Sequence, residues 1–354
     1  MDYVHQVAPW QHQQYAFELS RDMPEFALLM EQRTGKSKVL IDTCAWQYSK
    51  GGIDGLLLIA PNGVDEDWAR VYFDTHWPEW AGAPIIALWD GRLLKKAEAE
   101  LYNPARATAF HVLCMNIEAF STSTRARAAA EKFLRMYRCL MAVDEGSLIK
   151  DPASARTKHI TKLGRLARMR RILTGTIGVE KPFDVYAPFR FLNPHLLGFQ
   201  SFYAFKAQFG EMLPAEHGLV RHVTERMPKH LQGRGLVPQV VAKDRDGRPR
   251  YKNLPELQRL MNPYCFRITR AECGDVPEKV FAVRGVPLSG EQKHFYDRVV
   301  DEILIESQHG TLTVANQLSR LLRLQQIVGG FTPSDEEGAT GAPLKQHRFE
   351  ALLS

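Results

Sequence analysis

Ala27-Leu-Leu-Met-Glu-Gln-Arg-Thr-Gly-Lys-Ser37 joins an apolar run to Thr-Gly-Lys-Ser, and an amphipathic stretch from Lys38 to Trp46 follows. Strand, tight loop and helix in that order make a phosphate cradle. Backbone N–H groups at the helix start face the anion, and the helix dipole favours negative charge there. In such a loop Lys36 reaches β/γ-phosphates, and the Ser37 hydroxyl takes one position on Mg²⁺. The general pattern wants a glycine where Met30 stands and often another where Arg33 stands. If the loop needs a positive φ at Arg33, a non-glycine residue costs about 1–2 kcal/mol. Gly-Lys-Ser before a helix is a weak signal alone, and an ordinary lysine at a helix start stays open.

A second stretch adds weight. Cys139-Leu-Met-Ala-Val-Asp-Glu145 is a buried-strand run ending in two adjacent carboxylates, about 110 residues beyond the loop. In a nucleotide-hydrolysing site one acid at a strand end holds Mg²⁺, and its neighbour orients or deprotonates water. That assigns Asp144 to the metal and Glu145 to the water. Two solvated acids at a strand end are the plainer alternative, and it weakens once the loop is read together with the pair.

Working outward, the chain has 354 residues, enough for roughly two domains. It is 45% hydrophobic and 24% charged, an ordinary globular composition. No run approaches the ~18 apolar residues of a membrane span, and Met1-Asp-Tyr-Val-His-Gln-Val-Ala8 is no signal peptide. The five cysteines include no Cys-x-x-Cys pair and read as reduced core thiols of a cytoplasmic protein. A net charge of +6 suits a polyanionic partner.

Apolar strand candidates fall at 26–30, 56–60, 85–89, 112–117, 140–143 and 171–173. Helical patterns fall between them, near 38–48, 66–75, 93–101, 124–136 and 155–168. Such alternation predicts an α/β fold with a mostly parallel sheet covered on both faces. Ligands bind such sheets at the carboxyl ends of the strands. The phosphate loop, Asp144/Glu145 and Leu173-Thr-Gly-Thr176 all sit at such ends. Gln13, on a helix starting near Trp10, is either a reader of the adenine edge or a surface glutamine. Ala60-Pro-Asn-Gly63 and Asn116-Ile-Glu-Ala-Phe120 also close strands and could hold a sugar–phosphate backbone. Pro-Asn-Gly is equally a strong turn signal, and the residues alone favour the turn.

Gln13, Gly35-Lys36-Ser37, Pro61, Asp144-Glu-Gly-Ser-Leu-Ile-Lys-Asp-Pro152 and Leu173-Thr-Gly-Thr176 occur in the order and spacing of superfamily two helicases. The extended acidic stretch most resembles the Swi/Snf-type DNA translocases, particularly their compact bacterial and phage members. Phe183-Asp-Val-Tyr-Ala-Pro-Phe-Arg-Phe-Leu-Asn-Pro194 is similar to the exit from that family's first RecA-like lobe. Asn262–Arg270, Val276–Lys279 and Leu288–Tyr296 also resemble it. The resemblance implies a P-loop, RecA-like lobe using ATP and Mg²⁺, with Gln13 reading adenine and Thr34, Gly35, Lys36 and Ser37 holding the nucleotide. It places the metal on Ser37 and Asp144 and water activation on Glu145. Thr174 and Thr176 would couple nucleotide state to a DNA groove, near which Pro61 and Asn116 would lie. Departures are Met30, Arg33, Gly146-Ser147 and Ile177.

The expected domains are a first RecA-like lobe over 1–194, a mainly helical protrusion over 195–330, and over 331–354 a linker with the first helix of a truncated second lobe. Residues 221–259 hold ten Lys/Arg against four Asp/Glu. Within them 239–251 reads as a hairpin with an Asp-Gly turn, touching phosphates or simply solvated. Apolar positions Phe295, Tyr296, Val299, Val300, Ile303 and Leu304 form a helical stripe expected to pack in a core, and 316–328 is another helix. The expectation is the ATP-binding half of a DNA-dependent motor on duplex DNA, whose second RecA-like lobe belongs to a longer chain or a separate subunit. Its setting would be the cytoplasm of a bacterial cell or a phage-infected host. Two alternatives stand beside it. One is another RecA-like motor, such as a packaging or restriction motor subunit. The other is a DNA-binding module with a degenerate nucleotide site.

Overall fold

A computed structural model describes residues 3–175, 181–226, 238–274, 283–308, 314–332, 343–344 and 347. Thr176, Ile177, the 276–279 stretch and the helix expected over 346–354 lie essentially outside them. The contact pattern divides the chain into Met1–Val276 and Pro277–Ser354.

The first unit is built on seven strands: β1 Glu25–Met30, β2 Gly55–Ala60, β3 Ile85–Trp89, β4 His111–Asn116, β5 Cys139–Asp144, β6 Met169–Leu173 and β7 Cys265–Ile268. They form one sheet in the order β3-β4-β2-β5-β6-β1-β7, and every pair is parallel. Six of these strands match the sequence expectation to within two residues at each end. The seventh does not. Cys265–Ile268 lies well past the expected lobe and returns to pair with β1. Its polar Arg267 and only half-buried side chains give no continuous apolar signal.

The central strands are apolar throughout because both faces are covered. Alternate side chains divide between two cores. Leu57, Ile59, Leu113, Met115, Met141 and Val143 face one way, while Leu56, Leu58, Val112, Cys114, Leu140 and Ala142 face the other. The first core is closed by helices of which α3 (Thr124–Met136), α4 (Ala155–Gly164), α5 (Tyr186–Leu192) and α6 (Phe202–Phe209) are the main ones. The second is closed by α1 (Gln11–Ser20), α2 (Lys36–Ser49) and the crossover over 64–76. Each fully buried leucine in such layers contributes about 1.5–3 kcal/mol.

Two arginines at the amino end of β6 tie layers together. Arg171, 1% exposed, donates to the carbonyls of Ser20, Met23, Pro24 and Arg170. Arg170 donates to Leu192 O, Gly164 O and Glu25. The 239–251 hairpin is present: Asp244 N–H donates to Arg248 O and Gly247 N–H to Asp244 O, with Gly247 at φ 78°.

The second unit holds α9 (Gly290–Gln308) and α10 (Val314–Val328), numbered after α7 (Gly218–Glu225) and α8 (Leu254–Met261) of the first. Val299, Ile327 and Leu344 form its small core, with Phe295, Tyr296 and Ile303 against it. The expected stripe is thus only partly packed, because Leu304 is 54% exposed. Ser289 and Gln292 cap α9 reciprocally, and the Gln292 amide also donates to Ile327 O at 2.8 Å.

Candidate active site

The loop between β1 and α2 is set by backbone conformation. Arg33 and Gly35 both have positive φ, 65° and 89°. Thr34 N–H and its hydroxyl close the turn on Glu31 O, at 3.3 and 2.7 Å. The strain foreseen at Arg33 is therefore present, about 1–2 kcal/mol. Met30, by contrast, is the last, fully buried residue of β1, so no left-handed residue is needed there. At φ 89° any side chain on Gly35 is strained, and a Cβ there would also stand 2.1 Å from Gln13 Nε2, which would have to shift.

The first-turn N–H groups of any helix lack an intrahelical acceptor, and at α2 no side chain caps them, so they are left for a ligand. Lys36 Nζ donates to Met30 O at 2.9 Å and Glu31 O at 3.2 Å. Burial holds its ammonium below the usual lysine range, against the pull of Asp144, Glu145 and Glu31. The Ser37 hydroxyl makes no hydrogen bond within the described residues and lines the same cleft.

Asp144 closes β5, opposite Leu173 of β6 in register. It is 8% exposed. Its Oδ2 accepts the indole N–H of Trp68 at 2.9 Å, and its Oδ1 accepts the Glu145 N–H at 3.0 Å. Burial pushes its carboxyl up; Trp68, Glu145 N–H and Lys36 pull it back. Glu145 has φ 50°, a left-handed conformation of the kind held at functional sites when the surroundings over-determine it. Burial first, and then Asp144, raise its carboxyl above the ordinary range, while Lys36 lowers it.

Gln13, Gly35, Lys36, Ser37, Asp144 and Glu145 line one cleft of 540 Å³, with Trp10, Tyr72 and His76 among its other walls. Gln13 is no loose surface residue. Its Oε1 accepts from Trp10 N–H and its Nε2 donates to Thr34 O, leaving one N–H and one lone pair for a ligand. Thr34 is buried behind the loop, and its side chain is spent on Glu31 O. Thr174 is also fully buried. Next to it, a Cβ on Gly175 would lie 3.1 Å from Glu31 Cα and 3.3 Å from Gln32 N, so this strand end presses on the phosphate loop. Pro61 follows β2 and Asn116 ends the adjacent strand β4, and neither is among the described residues that line the cleft. Asn116 Oδ1 caps the following turn at Ala119 N–H.

Two residues escaped the sequence reading. Trp68 is fully buried and sits where the crossover widens into a π turn over Trp68–Tyr72; its indole N–H, like any buried one, needed an acceptor. His12 lies within 2.8 Å of Thr34 O. Nearby, Lys38, His5 and Tyr3 converge on Asp42, all within 2.9 Å.

The donor set suits a hard cation. Ser37 and Asp144 are oxygen donors on one wall of the cleft, and among the described residues no group of three or more His, Cys, Asp or Glu offers an all-protein cage. An ion held by these two would need phosphate oxygens and water to complete its shell, as Mg²⁺ does.

The structure is similar to the Sulfolobus solfataricus SWI2/SNF2 ATPase core in complex with dsDNA, with 20% identity and a TM-score of 0.52 over 93% of this chain and 60% of that one. The SWI2/SNF2 ATPase core domain of the same organism gives 21% identity and a TM-score of 0.49 over 93% and 58%. The UvsW helicase from Bacteriophage T4 gives 16% identity and a TM-score of 0.38 over 51% and 58%. This chain therefore spans 60% of the first of those structures. No curated protein matches it significantly. The profile of the SNF2-related domain matches residues 25–329, and the chain belongs to that family.

Proposed function

We propose that this chain is the ATP-binding part of a DNA-dependent ATPase motor that acts on duplex DNA. The observation that carries the reading is a single cleft holding an uncapped helix start, Lys36, Ser37, Asp144 and Glu145. The α2 N–H groups and Lys36 bind β- and γ-phosphates. Ser37 and Asp144 hold Mg²⁺, which when bound neutralises charge on the phosphate oxygens. Glu145 orients the attacking water and accepts its proton. Gln13 contacts the adenine edge with its remaining N–H and lone pair.

DNA lies along the carboxyl ends of the strands, near Pro61 and Asn116, as in the family resemblance. Thr174 and Thr176 pass nucleotide state to it, and the contact of Gly175 with the loop supports that route. In this reading 1–194 together with the returning strand β7 forms the first lobe, the rest of 195–330 a protrusion, and 331–354 the approach to a second lobe, here or in another subunit. That lobe supplies the arginine that stabilises charge during transfer, an effect of about 10³–10⁵ in related hydrolases.

The test is ATP turnover by the chain joined to a second lobe, with and without duplex DNA. DNA stimulation that Glu145→Gln abolishes supports the motor reading. Turnover indifferent to Glu145→Gln contradicts it.

A further inference from the structure

On the helical layer opposite the nucleotide cleft lies a second hollow, of 400 Å³, between α4, α5 and the start of α6. It shares no residue with the nucleotide cleft. Lys158, Thr161, Lys162 and Arg165 line one wall, and Arg190 and Gln200 the other. Among the described residues no Asp or Glu lines it.

The sequence over 152–179 contains seven Lys/Arg and no Asp or Glu. The fold uses some of these cations internally. Arg170 and Arg171 are taken up by carbonyls and Glu25, and Arg156 by Ser121. Lys158, Lys162 and Arg165 form no ion pair among the described residues; at i, i+4 and i+7, the first two stand on one face of α4 and Arg165 caps its end in helical conformation. Like charges at that spacing weaken a helix, so an anion in the hollow removes a cost that the isolated chain carries. Arg190 is held ready from the other side. Its Nη1 donates to Tyr186 Oη at 2.7 Å and to Gln200 O at 2.8 Å, which fixes the guanidinium plane without neutralising it.

We propose that this hollow is a second duplex-DNA contact, which binds the phosphate backbone at a place separate from the strand-end groove. The geometry favours a linear polyanion over a single phosphate. With a rise of 1.5 Å per residue, the three cations along α4 and its cap extend over about 10 Å. A DNA strand presents one phosphate about every 3.4 Å of axis, so the row meets about three. The interleaved Thr161 hydroxyl and Gln200 amide are neutral donors of the kind that commonly contact phosphate and sugar. The hollow starts at Pro152, on the loop after β5, and follows α4 away from the strand carboxyl ends. The proposal is independent of nucleotide binding.

The experiment measures affinity of the 354-residue chain for a short labelled duplex across a salt series. Variants are Lys162→Ala, Arg165→Ala and the double reversal Lys162→Glu/Arg165→Glu. The control is Arg135→Ala on α3, an arginine already paired with Glu131. Each alanine variant in the hollow is expected to flatten the slope of log affinity against log salt by about 0.9. The double reversal should weaken binding by roughly tenfold or more, with circular dichroism and Mg-ATP affinity unchanged. An unchanged slope in the hollow variants overturns the proposal. So does an equal change in Arg135→Ala, which marks diffuse charge attraction. If the variants lose binding to polyglutamate but keep DNA affinity and slope, the occupant is an acidic protein segment and the DNA assignment falls.

Discussion

Asp144 can reach a divalent ion only with the lone pairs that the Trp68 indole and the Glu145 amide leave free. Trp68→Phe keeps an aromatic side chain but deletes the N–H donor and part of the indole, so a carboxylate oxygen in a buried place loses its partner, at about 1–3 kcal/mol. Asp144 then titrates higher still, and Mg-ATP affinity, read by calorimetry, should fall about tenfold or more while the fold survives. Glu145 gives a pH signature. Its carboxyl is raised by burial and by Asp144, and only the ionised form accepts a proton from water. Turnover should therefore fall on acidification at a pH above the ordinary carboxylate range near 4. An acid limb at or below that range would place the base elsewhere. The sign for stability is the reverse: a raised carboxylate costs the fold stability above its titration, and acidification removes that cost. That Lys36, Ser37, Asp144 and Glu145 meet in one cleft was legible in the sequence because they lie in two short stretches, each following an apolar strand. Trp68 was not, because its role depends on a π turn and on a partner 76 positions away.

Among the elements, the phosphate loop is clamped from two sides. Gln13 on α1 fills the space where a Cβ on Gly35 would sit, and the backbone after β6 presses on 30–32 at Gly175. Gly175→Ala asks that loop to yield by a few tenths of an ångström. We expect weaker nucleotide binding with little change in DNA affinity, measured separately by calorimetry and anisotropy. Equal losses in both would mean that the substitution damages the sheet rather than the loop. The strands were legible because both faces of each central strand are apolar. β7 was not, because at the sheet edge it is half-exposed and carries Arg267. The stretch 66–75 read as one helix, yet its middle turn, Trp68–Tyr72, widens into a π turn, which hydrophobic spacing does not mark.

At the scale of the whole molecule, seven parallel strands bring the phosphate loop, the acid pair and the Thr174–Gly175 strand end to one edge, although they are far apart in sequence. That convergence was readable from strand–helix alternation, since parallel sheets present their ligand sites at the carboxyl ends. The basic hollow over α4 was not singled out, because its cations become a single wall only once α5 and α6 fold against that helix. The central claim is that the 540 Å³ cleft is a working Mg-ATP site. Isothermal titration of this chain with Mg-ATP, beside Lys36→Ala, tests it most directly. Saturable one-to-one binding that Lys36→Ala weakens about tenfold or more, roughly the 1.4 kcal/mol or more of a lost charged phosphate contact, is the predicted result. Absence of binding, or binding indifferent to Lys36, would contradict the account.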